Sequence, residues 1–394
     1  MNRNVWMLFF CQALINASGI AQVSMSSLVG YALASDKSLA TLPFAIQMGG
    51  TMAASIPAGI IFARLGRRAG FIVGNLSSLF GCGVLFYAVL TANFPLFCFG
   101  SLPMGIGFGI GQHYRFAASE VADPTARARA IALVMAGGVL SALLGPELVM
   151  RTKTALAPVL FLGTYAATAL LPVISIILLA IVKLPPAPPR AKVPTPALEI
   201  LARPSFITAV IAGMVSYGSM NLIMTTTQLQ MMNCGFGVDD GVNVIRAHAF
   251  SMFAPGFFTG RIIQRFGVHR VILVGGVLCM ACAALSFGAP IFMNFFVALS
   301  LLGLGWNFMF VGATTLLATA HNPTERVKAQ AMNDLIVFST VTLTALSSGA
   351  LEHAGGWTVV NSAIVPPVLV AMALVAWHRI YLARRAAQAG LAAQ

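Results

Sequence analysis

Asp123-Pro124-Thr125-Ala126-Arg127-Ala128-Arg129-Ala130 returns as Asn322-Pro323-Thr324-Glu325-Arg326-Val327-Lys328-Ala329, 199 residues further on. Two more matches keep nearly that spacing. Gly59 followed by Arg64-Leu65-Gly66 returns as Gly260 followed by Arg265-Phe266-Gly267, an offset of 201, and Gly105-Ile106-Gly107-Phe108 returns as Gly303-Leu304-Gly305-Trp306, an offset of 198. One spacing in three places indicates a duplicated half of about 200 residues in a chain of 394. In membrane proteins such duplication is the usual build of secondary transporters, which hold a solute between the halves and rock around it.

Composition puts the duplication in a bilayer. The chain is 58% hydrophobic and 8% charged, with a mean hydropathy of +0.88. A soluble domain carries about 25% charged residues, and a chain this apolar lacks the polar surface to face water. Apolar runs of about 20 residues without alternation predict helices rather than a barrel. Twelve spans are predicted, near 5–31, 40–63, 69–91, 94–118, 129–150, 157–182, 205–229, 243–263, 270–290, 292–318, 328–350 and 358–378. The fold class is therefore all-α, with twelve transmembrane helices in two six-helix bundles related by pseudo-two-fold symmetry. The first run is too long for a cleaved signal and lacks a cleavage site, so it is read as span one.

The net charge of +13 does not imply nucleic acid. The basic residues sit in short clusters between apolar runs, the pattern that sets membrane orientation. With both termini inside, 18 of the 23 lie on the inner side and 4 on the outer side or its edge, and Arg115 falls within span four. Residues 183–204 contain seven prolines, which exclude a helix and read as a cytoplasmic linker. The expected divisions are a bundle of residues 1–182, the linker, a bundle of residues 205–378 and a cytoplasmic tail of residues 379–394. No disulfide framework or metal-ligand spacing appears among the six cysteines and six histidines. The glycines of span four follow no strand, so they imply no dinucleotide and no cofactor.

Gly59-Ile60-Ile61-Phe62-Ala63-Arg64-Leu65-Gly66-Arg67-Arg68 resembles the signature loop of the major facilitator superfamily, G-x-x-x-D-R-x-G-R-R. Gly260, Arg265 and Gly267 resemble its weaker second copy, and the 6+6 plan matches over the whole chain. The resemblance implies a gating loop at Gly59, Arg64, Gly66, Arg67 and Arg68. Both copies lack the family's acid, which latches the halves on the inner side: Ala63 and Gln264 stand in its place. Gly145-Pro146 in span five is similar to part of an element of the family's antiporters. Gln112 to Glu120, Gly303 to Asn307 and Gln330 to Asp334 are similar to a bacterial branch that includes riboflavin transporters. This implies an inner-membrane permease, working by alternating access, for a flat, polar aromatic metabolite.

Ionisable residues inside a membrane are costly and are functional candidates by default. Arg115 is either a substrate or gating contact, or an anchor paired on another helix, since Glu120 at i+5 is poorly placed on the same one. Asp334 is either a proton-coupling site or Arg115's structural partner. Glu147 is a second proton-coupling candidate, and Arg246 and His248 mark the outer end of span eight. In the family, spans one, four, seven and ten line the central path. The substrate-binding candidates are Asn16, Gln112, Tyr114, Arg115, Tyr217, Asn221, Trp306 and Asn307. The expected partners are a small solute and the bilayer, with a monomeric functional unit. A drug or metabolite exporter and a non-transporting receptor are the competing readings. An intramembrane enzyme would need a nucleophile, base or metal constellation, which the sequence does not provide.

Overall fold

The computed structural model describes residues 3–36, 39, 42–184 and 195–392. The middle of the expected linker, residues 185–194, lies outside them, and its end is helical over Ala197–Leu201, between Pro196 and Pro204, which were expected to exclude a helix. The described chain is helical throughout. Span one is Arg3–Leu33, span six Leu162–Ile181, span seven Pro204–Asn233, span nine Val268–Ser286 and span ten Phe292–Thr319. Spans two and three form one continuous element, Leu42–Leu90. Its 49 residues would reach about 74 Å at 1.5 Å per residue, more than twice a bilayer's hydrocarbon core, so it must turn back. It does so at Gly66, where φ is 82° and ψ 167°. The second copy turns at Gly267, with φ 86° and ψ 148°. Only glycine enters this region without a steric cost, which explains the spaced glycines of the two loops.

Three spans are interrupted. Span four is Phe94–Gly111 and Tyr114–Val121, span five Arg127–Ala136 and Gly138–Thr152, and span eight Val238–Phe253 and Gly256–Phe266. Spans eleven and twelve run together as Pro323–Ala392, turning at Gly356 with φ 63°. Among the described residues, nine helices are long and apolar enough to cross a membrane. The other three of the twelve are the second span of the Leu42–Leu90 rod, the broken span eight, and span eleven with Lys328 and Asp334. The protein is a multi-pass membrane protein.

Two compact units result. The first comprises residues 1–192 and 326–342, the second residues 193–325 and 343–394. Residues 326–342, placed by sequence in the second bundle, thus pack with the first unit. Close approach is one cause: a Cβ on Gly59 would stand 2.7 Å from the Ala331 Cβ. Within the first unit, span four lies against spans two and three with backbone nearly touching backbone. A Cβ on Gly105 would stand 2.0 Å from the Gln47 carbonyl oxygen, and Thr51 Oγ1 donates to the Gly105 carbonyl at 3.1 Å. Val5, Leu8, Phe62, Phe71, Tyr114 and Ala130 fill one core of this unit. Leu299, Leu302, Met309, Cys279 and Val368 fill the core of the second.

Candidate functional site

The break in span four sets the geometry of the first unit. The helix interrupts at Gln112-His113 and resumes at Tyr114, with the His113 N–H donating to the Ile110 carbonyl at 3.2 Å. Just past this break Arg115, fully buried, donates from Nη2 to Asp334 Oδ1 at 2.6 Å. Asn333 Nδ2 donates to the same oxygen at 2.8 Å. His113 Nε2 stands 3.5 Å from Asp334 Oδ2. Phe62 packs edge-on against His113 with ring centroids 5.0 Å apart. A buried carboxyl that accepts from one guanidinium and one amide, with an imidazole beside it, is a group whose protonation its surroundings can shift. Removing either charge alone would strand the other in an apolar interior.

A second polar assembly lies one turn nearer the loop. Arg67 holds Glu120 with both arms, Nε to Oε2 at 3.1 Å and Nη2 to Oε1 at 2.7 Å. Its Nη2 also donates to Gln330 Oε1. Glu120 is therefore the partner of Arg67, and Arg115 finds its partner on span eleven. Gln330 as a second acceptor for Arg67 was not legible in the sequence, since nothing in a lone glutamine of an apolar helix marks it. Of the other loop residues, Arg64 and Arg265 are exposed, Arg68 donates to the Ala180 carbonyl at 2.6 Å, and Gly260 is buried on Gly256–Phe266.

The second unit gathers rings instead of charges. Trp306 is 1% exposed. It stacks on Phe310 at 5.0 Å and 20°, and meets Tyr217 edge-on at 5.5 Å and Phe253 at 5.8 Å. Its Nε1 is buried without a hydrogen-bond partner among the described residues, and an indole N–H in that position normally finds one. Asn307 is bonded at both ends: its Nδ2 donates to the Met252 carbonyl at 2.7 Å, and Thr259 Oγ1 donates to its Oδ1 at 2.6 Å. Asn221 Nδ2 donates to Thr344 Oγ1 at 3.2 Å.

The remaining candidates are scattered. Gln12 donates to Asn16 Oδ1 at 3.0 Å along span one. Tyr114 is packed on Phe71, with ring centroids 4.3 Å apart, and its hydroxyl accepts from Asn75 at 2.8 Å. Glu147 pairs with Arg151 at 2.5 Å, and both side chains are more than half exposed. Arg246 is exposed, while His248 is buried with Nδ1 2.8 Å from the Leu299 carbonyl. Sequence reading also passed over Gln22, Ser26 and Tyr165, three buried polar side chains. Among the described residues no cluster of three or more His, Cys, Asp or Glu could hold a metal.

Known proteins resemble this chain along nearly its full length. The Major Facilitator Superfamily profile matches residues 6–257 and 244–390. The riboflavin transporter RfnT of Brucella anthropi is 37% identical over 377 residues, covering 95% of this chain and 94% of that protein. The uncharacterised MFS-type transporter YddS of Bacillus subtilis is 25% identical, covering 94% and 89%. Among solved structures, the transporter FucP in its outward conformation superposes with a TM-score of 0.78 at 16% identity, covering 95% of this chain and 97% of that one. The human organic anion transporter MFSD10 does so at 0.76 and 12%, covering 95% and 100%. The last two likenesses speak to the fold alone.

Proposed function

This chain belongs to the major facilitator superfamily and is a transporter rather than an enzyme, and we propose that its solute is a flat, polar aromatic metabolite of the flavin kind. The observation that carries the reading is Trp306. Its indole is ringed by Tyr217, Phe253 and Phe310, and its N–H has no acceptor among the described residues. A planar ring bearing carbonyl or ring-nitrogen acceptors supplies both the stacking surface and the missing acceptor. The 37% identity to a riboflavin transporter points the same way. Asn16, Gln112, Tyr114, Arg115, Tyr217, Asn221 and Asn307 are the other residues assigned to the solute path, and the gating loop is Gly59, Arg64, Gly66, Arg67 and Arg68 with Gly260, Arg265 and Gly267. The protein works as a monomer in the bacterial inner membrane, with both termini cytoplasmic. Its mechanism is alternating access, which the duplicated build serves.

Transport is coupled to protons. Asp334 is the principal site, because it is an ionisable carboxyl fully buried in a membrane span beside Arg115, Asn333 and His113. Glu147 is the second, and its exposure and its pairing with Arg151 make it the weaker one.

Ligand binding is tested by thermal shift of the purified protein against flavins, organic anions and lipophilic cations, since a ligand of the folded state raises Tm by mass action. A flavin shift that is absent in Trp306→Ala supports the reading; shifts among lipophilic cations alone replace it with an exporter. Coupling is tested in proteoliposomes. Asp334→Asn should lose gradient-driven accumulation and keep solute exchange, and exchange itself shows that the variant is folded. Normal accumulation in both Asp334→Asn and Glu147→Gln ends the coupling assignment.

A further inference from the structure

The end of the first unit that bears the Gly66 turn holds more positive charge and more hydrogen-bond donors than its own side chains consume. Three guanidinium groups gather there, those of Arg67, Arg127 and Arg326. Burial together with repulsion from Arg127 and Arg67 pulls Arg326 below the usual arginine range, while Glu120 acts in the opposite direction. Glu120 is already engaged by both arms of Arg67. Arg67 is 4% exposed, Arg326 9% and Gln330 0%. Arg67 Nη1, Arg127 Nε, Arg326 Nε and Gln330 Nε2 are all buried without a hydrogen-bond partner among the described residues. All four are donors. Asp334 Oδ2, a turn further along span eleven, faces His113 instead.

Position sharpens the imbalance. Arg127 and Arg326 occupy the same place in the duplicated stretch, and each lies in the first turn of its helix. That end of a helix is positive and disfavours cations. Water could satisfy the four donors, but it would leave three guanidiniums facing one carboxylate. A phosphoryl group carries about −1.5 to −2 charges and three strong acceptor oxygens, which matches both the excess charge and the spare donors. Guanidinium forks suit such oxygens better than a point-charge ammonium does.

We propose that Arg67, Arg127, Arg326 and Gln330 form a binding site for a phosphoryl oxyanion, supplied either by free phosphate or by an anionic lipid headgroup. The site is independent of what the protein transports, and its test reads binding alone. Tm of the full chain in neutral detergent is compared in sodium phosphate and in sodium chloride at equal ionic strength. It is then compared in nanodiscs of phosphatidylcholine with and without phosphatidylglycerol. A Tm gain of a few degrees in phosphate, lost in Arg127→Gln and Arg326→Gln, assigns free phosphate. The same pattern with phosphatidylglycerol assigns the headgroup. Arg129→Gln, exposed on the same helical turn, should keep the gain, and Arg326→Lys should keep part of it. No gain in either medium, or a gain that survives both glutamine variants, overturns the site.

Discussion

Set side by side, the two units share their backbone contacts and differ in what they bury. Gly105 closes on the carbonyl of Gln47, and Gly303 on that of His248; a Cβ would come within 2.0 Å and 2.5 Å. Gly107 closes on Ser78 Oγ and Gly305 on Cys279 Sγ, at 2.0 Å and 2.8 Å by the same measure. Each contact pair recurs at the spacing of the sequence repeat, 198 residues for the glycines and 201 for their partners. The chemistry does not recur. Arg115 corresponds to Ala313, Asp334 to Met135 and Arg67 to Val268. Duplication has kept the scaffold where helices touch at the backbone and released the positions where they touch through side chains. One unit became charged and the other aromatic.

The largest expected effect tests the charged side of that contrast. Asp334→Asn should destabilise the protein by about 3–5 kcal/mol, because it takes the charged partner from a fully buried guanidinium. The double variant Arg115→Met, Asp334→Leu should recover most of the loss. A double-mutant cycle by chemical denaturation in detergent measures both. If the double variant is no better than the single, the pair is a product of local packing rather than of charge.

The next effect tests the shared scaffold. Gly105→Ala and Gly303→Ala should each cost about 1–3 kcal/mol, since the added methyl meets a backbone carbonyl that cannot step aside. Gly83→Ala, with nothing within 4 Å of the new methyl, should cost little or nothing. Unequal costs at the two repeat positions would mean that the symmetry of contacts hides an asymmetry of rigidity.

A smaller effect separates the repeats at one residue. Ala126 of the first copy is Glu325 in the second. There it accepts from Arg203 Nη1 at 2.6 Å and from Thr195 at 2.7 Å. These donors hold its carboxyl down to about 2, against an ordinary 4.5. A depressed carboxyl stabilises the fold above its unfolded pKa and loses that contribution as pH falls towards the folded one. The wild type should therefore exceed Glu325→Gln by about 1.5 kcal/mol at neutral pH. The gap should narrow below about pH 4.5, as read by melting curves against pH. A gap that persists in acid would assign the effect to shape rather than charge.

Much of the fold was legible because bilayers constrain sequence harshly. Length of apolar run, glycine spacing and repeat offset each have one physical reading. Side-chain pairing was less legible. The sequence offered Arg115 and Asp334 as partners among several, since buried charges must pair, but it could not choose between helices 219 residues apart. Asn307 read as a substrate-binding candidate with no partner named, and the structure bonds both its ends between spans eight and ten. Gln330 and Glu325 were given no partner of their own, because a single polar residue at a span's edge is common. The grouping of residues 326–342 with the first unit depends on those same contacts, so it was out of reach as well.

That grouping has a consequence for how the protein is made. Arg115 and Arg67 leave the ribosome early, and their partners Asp334 and Gln330 follow more than 200 residues later. For most of synthesis the first six helices stand in the membrane without the carboxylate and the amide that Arg115 and Arg67 later bind. The amino-terminal half is thus an unfinished object until the eleventh helix arrives, and translation order itself decides how long the nascent chain depends on the insertion machinery for shelter.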